Sequence, residues 1–238
     1  FMRENGFYAE QIIGHLNLYT DDIIREMGGI VQTALYSIES ASLRLHKILD
    51  KSINLDRVKP VNKALADHGI VTIHSFIAGL PTEADEDLRA NVEVMLELKE
   101  ICPFARGHMF FYYPVPHTPL RKYVEKELGY KLPNDLKTYE NAEFYFGVEE
   151  MRETRPWLSD DRFDFITKYI DVFNDAFKTV NMELSRKTLD TLADNPKLAE
   201  IFAGIKDMRR PKKFYDPYVL DRVLRNEKID LLNDIKPY

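Results

Sequence analysis

Four runs of nearly unbroken apolar residues punctuate the first half of the chain, at residues 12–18, 30–38, 70–78 and 107–113. Runs of that length, rich in Val, Ile, Thr, Tyr and Phe and bounded by Gly or Pro, read as buried strands. Between them the pattern shifts to the period of amphipathic helices. Thr20 caps one helix that runs through Met27, with Asp21 and Asp22 favourable in its first turn and Gly28-Gly29 closing it. Residues 43–49 carry a second helix. A third starts at Asn54 or Leu55 and runs to about residue 67, where His68-Gly69 breaks it, and Pro60 in its opening turns leaves the start open. Residues 86–101 place Leu88, Val92, Met95, Leu96 and Leu98 on one stripe of a fourth. Strands that recur about every 40 residues with helices between them predict right-handed βαβ crossovers and a parallel α/β sheet. Strands apolar throughout predict a sheet buried on both faces. Four strands are too few to close a barrel.

From residue 120 the texture changes to aromatic, charged segments. These are residues 136–146, then Thr154-Arg155-Pro156-Trp157-Leu158, then a strongly amphipathic stretch over residues 161–181. Phe163, Phe165, Ile166, Tyr169, Ile170, Phe173 and Phe177 make its apolar side. Residues 185–203 and 217–232 predict two further helices. The second half therefore reads as helical and packed around the sheet, with no internal repeat and no low-complexity tract.

Composition narrows the function. The net charge of −6 over 238 residues, with no basic block, argues against nucleic acid as the main partner. The short stretch Arg209-Arg210-Pro211-Lys212-Lys213 reads as a solvated loop. Cys102 is the single cysteine, which excludes an internal disulfide and favours a reducing, cytoplasmic setting. It also cannot hold a metal cluster alone, and beside Pro103 at a helix end it reads as a buried apolar filler. No apolar run reaches the roughly 20 residues of a membrane span. The start, Phe1-Met2-Arg3, has no signal-peptide pattern and does not read as a natural beginning. The six histidines show no metal-ligand spacing. His74 and His108 sit inside strands, as core or lumen residues, and His117 sits on a strand-end loop.

Three strand ends carry distinctive chemistry: Tyr36-Ser37-Ile38-Glu39-Ser40, Gly79-Leu80-Pro81-Thr82-Glu83 and Pro114-Val115-Pro116-His117-Thr118-Pro119-Leu120. A parallel α/β array gathers such ends on one face, where ligands bind. Pro81 cannot continue a ladder, so backbone groups of the Gly79 turn are expected to point outward. Glu39 at a buried strand end needs a partner. That partner is either a set of neighbouring hydroxyls and helix N-termini or the ribose hydroxyls of a ligand. Glu83 reads first as a charge at a helix N-terminus. Phe110, Phe111, Tyr112 and Tyr113 read as core, and in a complete barrel alternate members would face the lumen. Arg155 either grips a substrate carboxylate or pairs with Asp160 or Asp161.

Taken in order, the Tyr36–Ser40 segment, Leu45 and Lys51, Gly69-Ile70, Gly79-Leu80-Pro81 and Pro116-His117-Thr118-Pro119-Leu120 resemble the later part of a radical S-adenosylmethionine (SAM) domain. The resemblance is to the subgroup with an Elongator-like core, often preceded by a cobalamin-binding domain, to which the oxygen-independent magnesium-protoporphyrin monomethyl ester cyclase belongs. It covers residues 10–125. The family's Gly before Ile-Glu-Ser is Ser37 here, its Gly-Leu-Pro-Gly-Glu-Thr is Gly79-Leu80-Pro81-Thr82-Glu83-Ala84, and its Pro-Gly-Thr is Pro116-His117-Thr118. Its three-cysteine cluster loop and its Gly-Gly-Glu for the methionine amine are absent from this chain.

The resemblance implies a partial TIM-like (β/α) barrel over residues 1–125, strands three to six of a (β/α)6 barrel, followed by a helical extension over residues 126–238. It implies a SAM-nucleoside site: Glu39 and Ser40 at the ribose, Phe76 and Ile77 at the adenine, Gly79, Leu80 and Pro81 at the turn, Val115 and Pro116 closing the pocket. His117 and Arg155 are candidates on the substrate side. The implied cofactors are SAM, a [4Fe–4S] cluster held by residues outside this chain, and cobalamin as a further candidate. Implied partners are a small-molecule substrate and an N-terminal part of the same protein. By itself the chain is expected to be inactive in radical chemistry, because thiolates must hold the cluster. The alternatives are a non-catalytic half-barrel scaffold or binding module, and an unrelated α/β enzyme using Glu39 and Glu83 as acid and base. An uncovered first-strand edge is expected of a half-barrel, and a covered one of a stand-alone domain.

Overall fold

The computed structural model describes residue 2 and residues 4–51, 53–132, 152, 154–178 and 184–205. Predicted elements at residues 136–146 and 217–232, and the basic stretch at 209–213, lie outside the described residues. Four strands, β1 (Ala9–Ile13), β2 (Val31–Glu39), β3 (Val71–Ala78) and β4 (Arg106–Phe111), form one parallel sheet in the order β1-β2-β3-β4. Crossovers are made by α1 (Asp21–Met27), the pair α2 (Leu43–Leu49) and α3 (Val58–Asp67), and α4 (Asp85–Ile101). After β4 come α5 (Pro119–Lys126), α6 (Asp160–Phe177), α7 (Arg186–Asp194) and α8 (Pro196–Ile201). The fold is α/β, a four-stranded parallel sheet with helical crossovers and further helices after β4, as the alternation predicts.

Local chemistry explains the boundaries. Thr20 accepts from the Ile23 amide to open α1, Ser42 does the same for Leu45 in α2, and Ser159 for Arg162 in α6. The helix predicted over residues 185–203 is two helices. Pro196 has no N–H for the first, and Asn195 caps the second by accepting from the Leu198 amide at 3.1 Å. The first strand lies earlier than its apolar run. Ala9 pairs with Val31 and Ile13 with Leu35, while Leu16 turns into the core within a 3-10 turn, Leu16–Leu18. Glu10 and Gln11 are tolerated because β1 is an edge strand with a solvated side.

The sheet is buried on one face only. Tyr36, Thr72, His74, Phe76, Gly107 and Met109 point into a core built with α3, α4 and α6. There the Thr72 hydroxyl donates to Asn62 Oδ1 at 2.5 Å and accepts from His74 Nε2 at 3.1 Å, and Asn62 Nδ2 donates to the Leu98 carbonyl. Burial holds His74 neutral, with its pKa lowered to about 3 by desolvation and the Lys99 charge. The opposite face, bearing Leu35, Ser37, Ser75, Ile77, Arg106, His108 and Phe110, is only half-covered. Alternation along β2 and β4 produces this, since each polar or exposed residue falls on the face away from the helices.

The two sheet edges are treated differently. At β4 the Asn174 side chain of α6 accepts from the Met109 amide at 2.8 Å and donates to the Met109 carbonyl at 3.0 Å, so the helix seals that edge. At β1, Ile13 is 74% exposed and Phe7 and Tyr8 beside it are open as well. Among the described residues α6 packs on β4, while β1 is the last strand of the sheet and pairs only with β2. No helix among the described residues is long and apolar enough to cross a membrane.

Candidate functional site

Among the described residues four non-glycines adopt left-handed backbone, and three of them lie where β2, β3 and β4 end: Glu39 (φ 64°), Thr82 (φ 65°) and His117 (φ 67°). Such conformations cost about 1 to 2 kcal/mol each and persist where the surroundings impose them. A register shift between Ser37 and Glu39 swings the end of β2 out of the ladder.

At the β2 end, Glu39 is buried and its Oε1 is ion-paired with Lys51, which follows α2 and is half-exposed. Glu39 Oε2 is engaged by no other described residue. The Ser40 carbonyl accepts from His46 Nε2 at 2.6 Å, so that nitrogen carries the proton and the buried Nδ1 is left unbonded. Ser40 Oγ accepts from the Ser42 amide at 3.1 Å, and Asn91 Oδ1 accepts from the Ala41 amide at 2.7 Å. The β2–α2 loop is thereby fixed on both sides.

The β3 end differs from its sequence reading. Gly79 has φ 79°, and a Cβ there would lie 2.2 Å from Phe111 Cε2, so only glycine fits. Its amide does not face outward. It donates to Glu83 Oε2 at 2.6 Å, and its carbonyl accepts from Trp157 Nε1 at 3.0 Å. Glu83 is therefore a cap on the turn and not a helix N-terminal charge. The helix is instead opened by Asp87, which accepts from the Ala84 amide at 2.8 Å. Burial raises the Glu83 carboxyl to about pKa 8, against the opposing pull of the Gly79 amide and Arg162. Glu83 as a whole is partly exposed, but its Oε1 is buried and without a partner, so the carboxyl itself is in a dry setting. Leu80 and Pro81 are buried, and Arg44 of α2 donates to the Thr82 carbonyl and hydroxyl at 3.0 Å and pairs with Asp87.

At the β4 end, Val115 and His117 are exposed and Pro116 is half-buried. The Val115 carbonyl accepts from the Thr118 hydroxyl at 2.8 Å, which sets the turn into α5. Arg155 is fully buried. Its Nε donates to the Tyr112 carbonyl at 2.6 Å, a second nitrogen donates to Thr154 Oγ1, and the guanidinium lies 4.3 Å from the Phe111 ring centre. Burial lowers its pKa to about 10. Arg152, not Arg155, is the partner of Asp160, at 3.0 Å. Trp157 packs on Tyr112 and joins Leu45, Leu80, Leu120 and Ile77 in a small apolar cluster over the strand ends.

The structure thus brings Glu39, Ser40, Gly79, Leu80, Pro81, Val115, Pro116 and His117 to one end of the sheet. Phe76 faces the helices, 5.4 Å from Phe173, whereas Ile77 stands on the open face. The [4Fe–4S] cluster does not fit this chain's residues. Cys102 is buried before β4, at the opposite end of the sheet, and no group of three potential metal ligands occurs among the described residues. Sequence reasoning missed the roles of Glu83 and Trp157 as clamps. The one available signal was that the chain's single tryptophan directly follows the Arg155-Pro156 pair.

No family model and no curated protein matches the chain. Among solved structures, archaeal Methanocaldococcus infernus Elp3 with an N-terminal deletion (1–46) aligns over 84% of this chain and 42% of its own, at 8% identity and a TM-score of 0.45. This chain thus spans less than half the length of that structure.

Proposed function

We propose that this chain is the later part of a radical SAM iron–sulfur protein and holds the SAM nucleoside across the ends of β2, β3 and β4. Glu39 takes the ribose, with Ser40 beside it, and Ile77 with the Leu80-Pro81 turn meets the adenine. Val115 and Pro116 close the pocket, and His117 faces the substrate. Arg155 acts through β4, fixing the strand end that carries Tyr112 and Val115. In this reading residues 1–125 are barrel and 126–238 an extension, and the open edge of β1 receives an earlier strand of the same protein. SAM would supply a 5′-deoxyadenosyl radical only beside a cluster that other residues hold.

The observation that carries the reading is Glu39. It is a buried carboxylate at a left-handed strand end, with one oxygen held by a half-exposed lysine and the other bonded to no described residue. Titration of the chain with adenosine and with 2′,3′-dideoxyadenosine tests it. Loss of one charge-assisted hydrogen bond is worth about 1.5 to 3 kcal/mol. Glu39→Gln is therefore expected to weaken adenosine about tenfold or more and to leave the dideoxy analogue unchanged. Equal affinities for the two nucleosides in the unaltered protein would remove the ribose assignment.

A second reading, a half-barrel scaffold without catalysis, is favoured by the turn at Gly79, whose amide and carbonyl are both spent internally. Absence of any adenosine binding, together with a native polypeptide of this length by intact mass, would select it.

A further inference from the structure

The open face of the sheet carries a group of basic side chains that the nucleoside reading does not use. Ser37, Ser75 and His108 sit side by side across β2, β3 and β4, with the two serine Oγ atoms 2.7 Å apart. Arg106, two residues before His108 on β4, points to the same side, because Gly107 between them lies against Met95 and Phe173 in the core. Lys178, just past α6, contributes a second positive charge near His108.

No carboxylate among the described residues pairs with any of the three. The buried Nε of Arg106 has no hydrogen-bond partner. Burial, then the charges of Lys178 and Arg106, push the His108 imidazole below its ordinary pKa, with no acid opposing them. In a chain of net charge −6, two cations beside an imidazole held neutral, with no counter-ion on a half-buried surface, are an unusual arrangement. Such a surface is destabilised by its own repulsion and relieved by a bound anion. Toward the strand ends, Ile77 and Phe110 are register partners on the same face, and Phe110 stacks parallel to His108 with ring centres 6.4 Å apart.

We propose that Arg106, His108 and Lys178, with the Ser37–Ser75 hydroxyl pair beside them, seat the carboxylate of a small organic acid whose apolar body lies along Ile77 and Phe110. Arg106 is half-buried, and a guanidinium can meet a planar carboxylate with two parallel hydrogen bonds, which a lysine could not do. The apolar neighbours admit a flat hydrocarbon body and offer few donors for a fully hydrated phosphate. The acid end points toward the start of β4, and the body points toward the face where the strand ends gather. This inference shares Ile77 with the nucleoside reading and uses none of its other residues.

Titration of the protein with benzoate, benzamide and inorganic phosphate, followed by imidazole NMR shifts with His108 assigned through His108→Gln, tests it. Benzoate is expected to move the His108 signals and to bind at least tenfold tighter than benzamide or phosphate. Arg106→Gln is expected to weaken benzoate about tenfold, and Lys178→Ala, at an exposed position, about threefold, as charge-assisted contacts of this size imply. Adenosine affinity is expected to stay unchanged in both variants, which separates this site from the nucleoside site. Should Arg106→Gln fail to fold, Lys178→Ala and Ser75→Ala carry the test. Benzamide binding as well as benzoate, phosphate binding more tightly than benzoate, or variants with unaltered benzoate affinity would each overturn the proposal.

Discussion

Replacing Glu83 by Gln is expected to stabilise the protein at alkaline pH and to do little at acid pH. The carboxyl is dry, Oε2 accepts from the Gly79 amide at 2.6 Å, and Oε1 has no partner, so the neutral acid suits the site better than the anion. Burial raises its pKa from 4.5 to about 8. The folded protein keeps this proton up to about pH 8, whereas the unfolded chain releases it near 4.5. The contribution to stability is therefore complete below pH 4.5 and is lost as pH rises through 8. At about 1.4 kcal/mol per pH unit across that window, ionising Glu83 in place costs on the order of 3 to 5 kcal/mol. Glutamine keeps an acceptor for the Gly79 amide and carries no charge.

Urea unfolding of both proteins at pH 5, 7 and 8.5 and constant ionic strength measures the difference, in which every other titrating group cancels. The two are expected to lie within about 1 kcal/mol at pH 5, with Gln ahead by about 3 kcal/mol or more at pH 8.5. Trp157, the only tryptophan, bonds the carbonyl of the same glycine and so provides a second readout. Its fluorescence is expected to titrate near pH 8 in the unaltered protein and to be flat in Glu83→Gln. A stability difference that does not change with pH, or a variant weaker at pH 8.5, would refute the account.

Two further substitutions test the frame around the site. Asn174→Ala removes both partners of the Met109 backbone on the sealed edge. A loss of about 1 to 3 kcal/mol is expected, with faster hydrogen exchange at the Met109 amide, and unaltered exchange there would contradict the edge-sealing role. Gly79→Ala forces a Cβ to within 2.2 Å of Phe111 and a left-handed alanine besides, so a loss of about 2 to 4 kcal/mol in thermal or urea unfolding is expected. Partial recovery in Gly79→Ala with Phe111→Leu would identify the ring as the cause, and a neutral single variant would refute it.

Much of the architecture was legible in the chain, because local chemistry acts over a few residues. Thr20 with Gly28, the stripe from Leu88 to Leu98, and three of the four strands follow from capping, period and apolar runs that need no knowledge of neighbours. The Asn195-Pro196 break was legible in principle, since proline beyond the first turn breaks a helix and one at its start opens the next. The gathering of Glu39, the Gly79 turn and the Val115–His117 loop at one end follows from parallel topology alone. Residues far apart in sequence decided the rest. Glu83 is a neutral turn cap only because α6 and the Trp157 segment close over it and exclude water. Gly79 spends its carbonyl on a tryptophan 78 residues away. The sheet has one open face because helices pack on one side of it, and an apolar strand run does not say which of its faces will meet them. Hydrophobic pattern and capping thus determined the elements and their order. Desolvation and long-range contact, properties of the assembled structure, decided which polar groups are free to act.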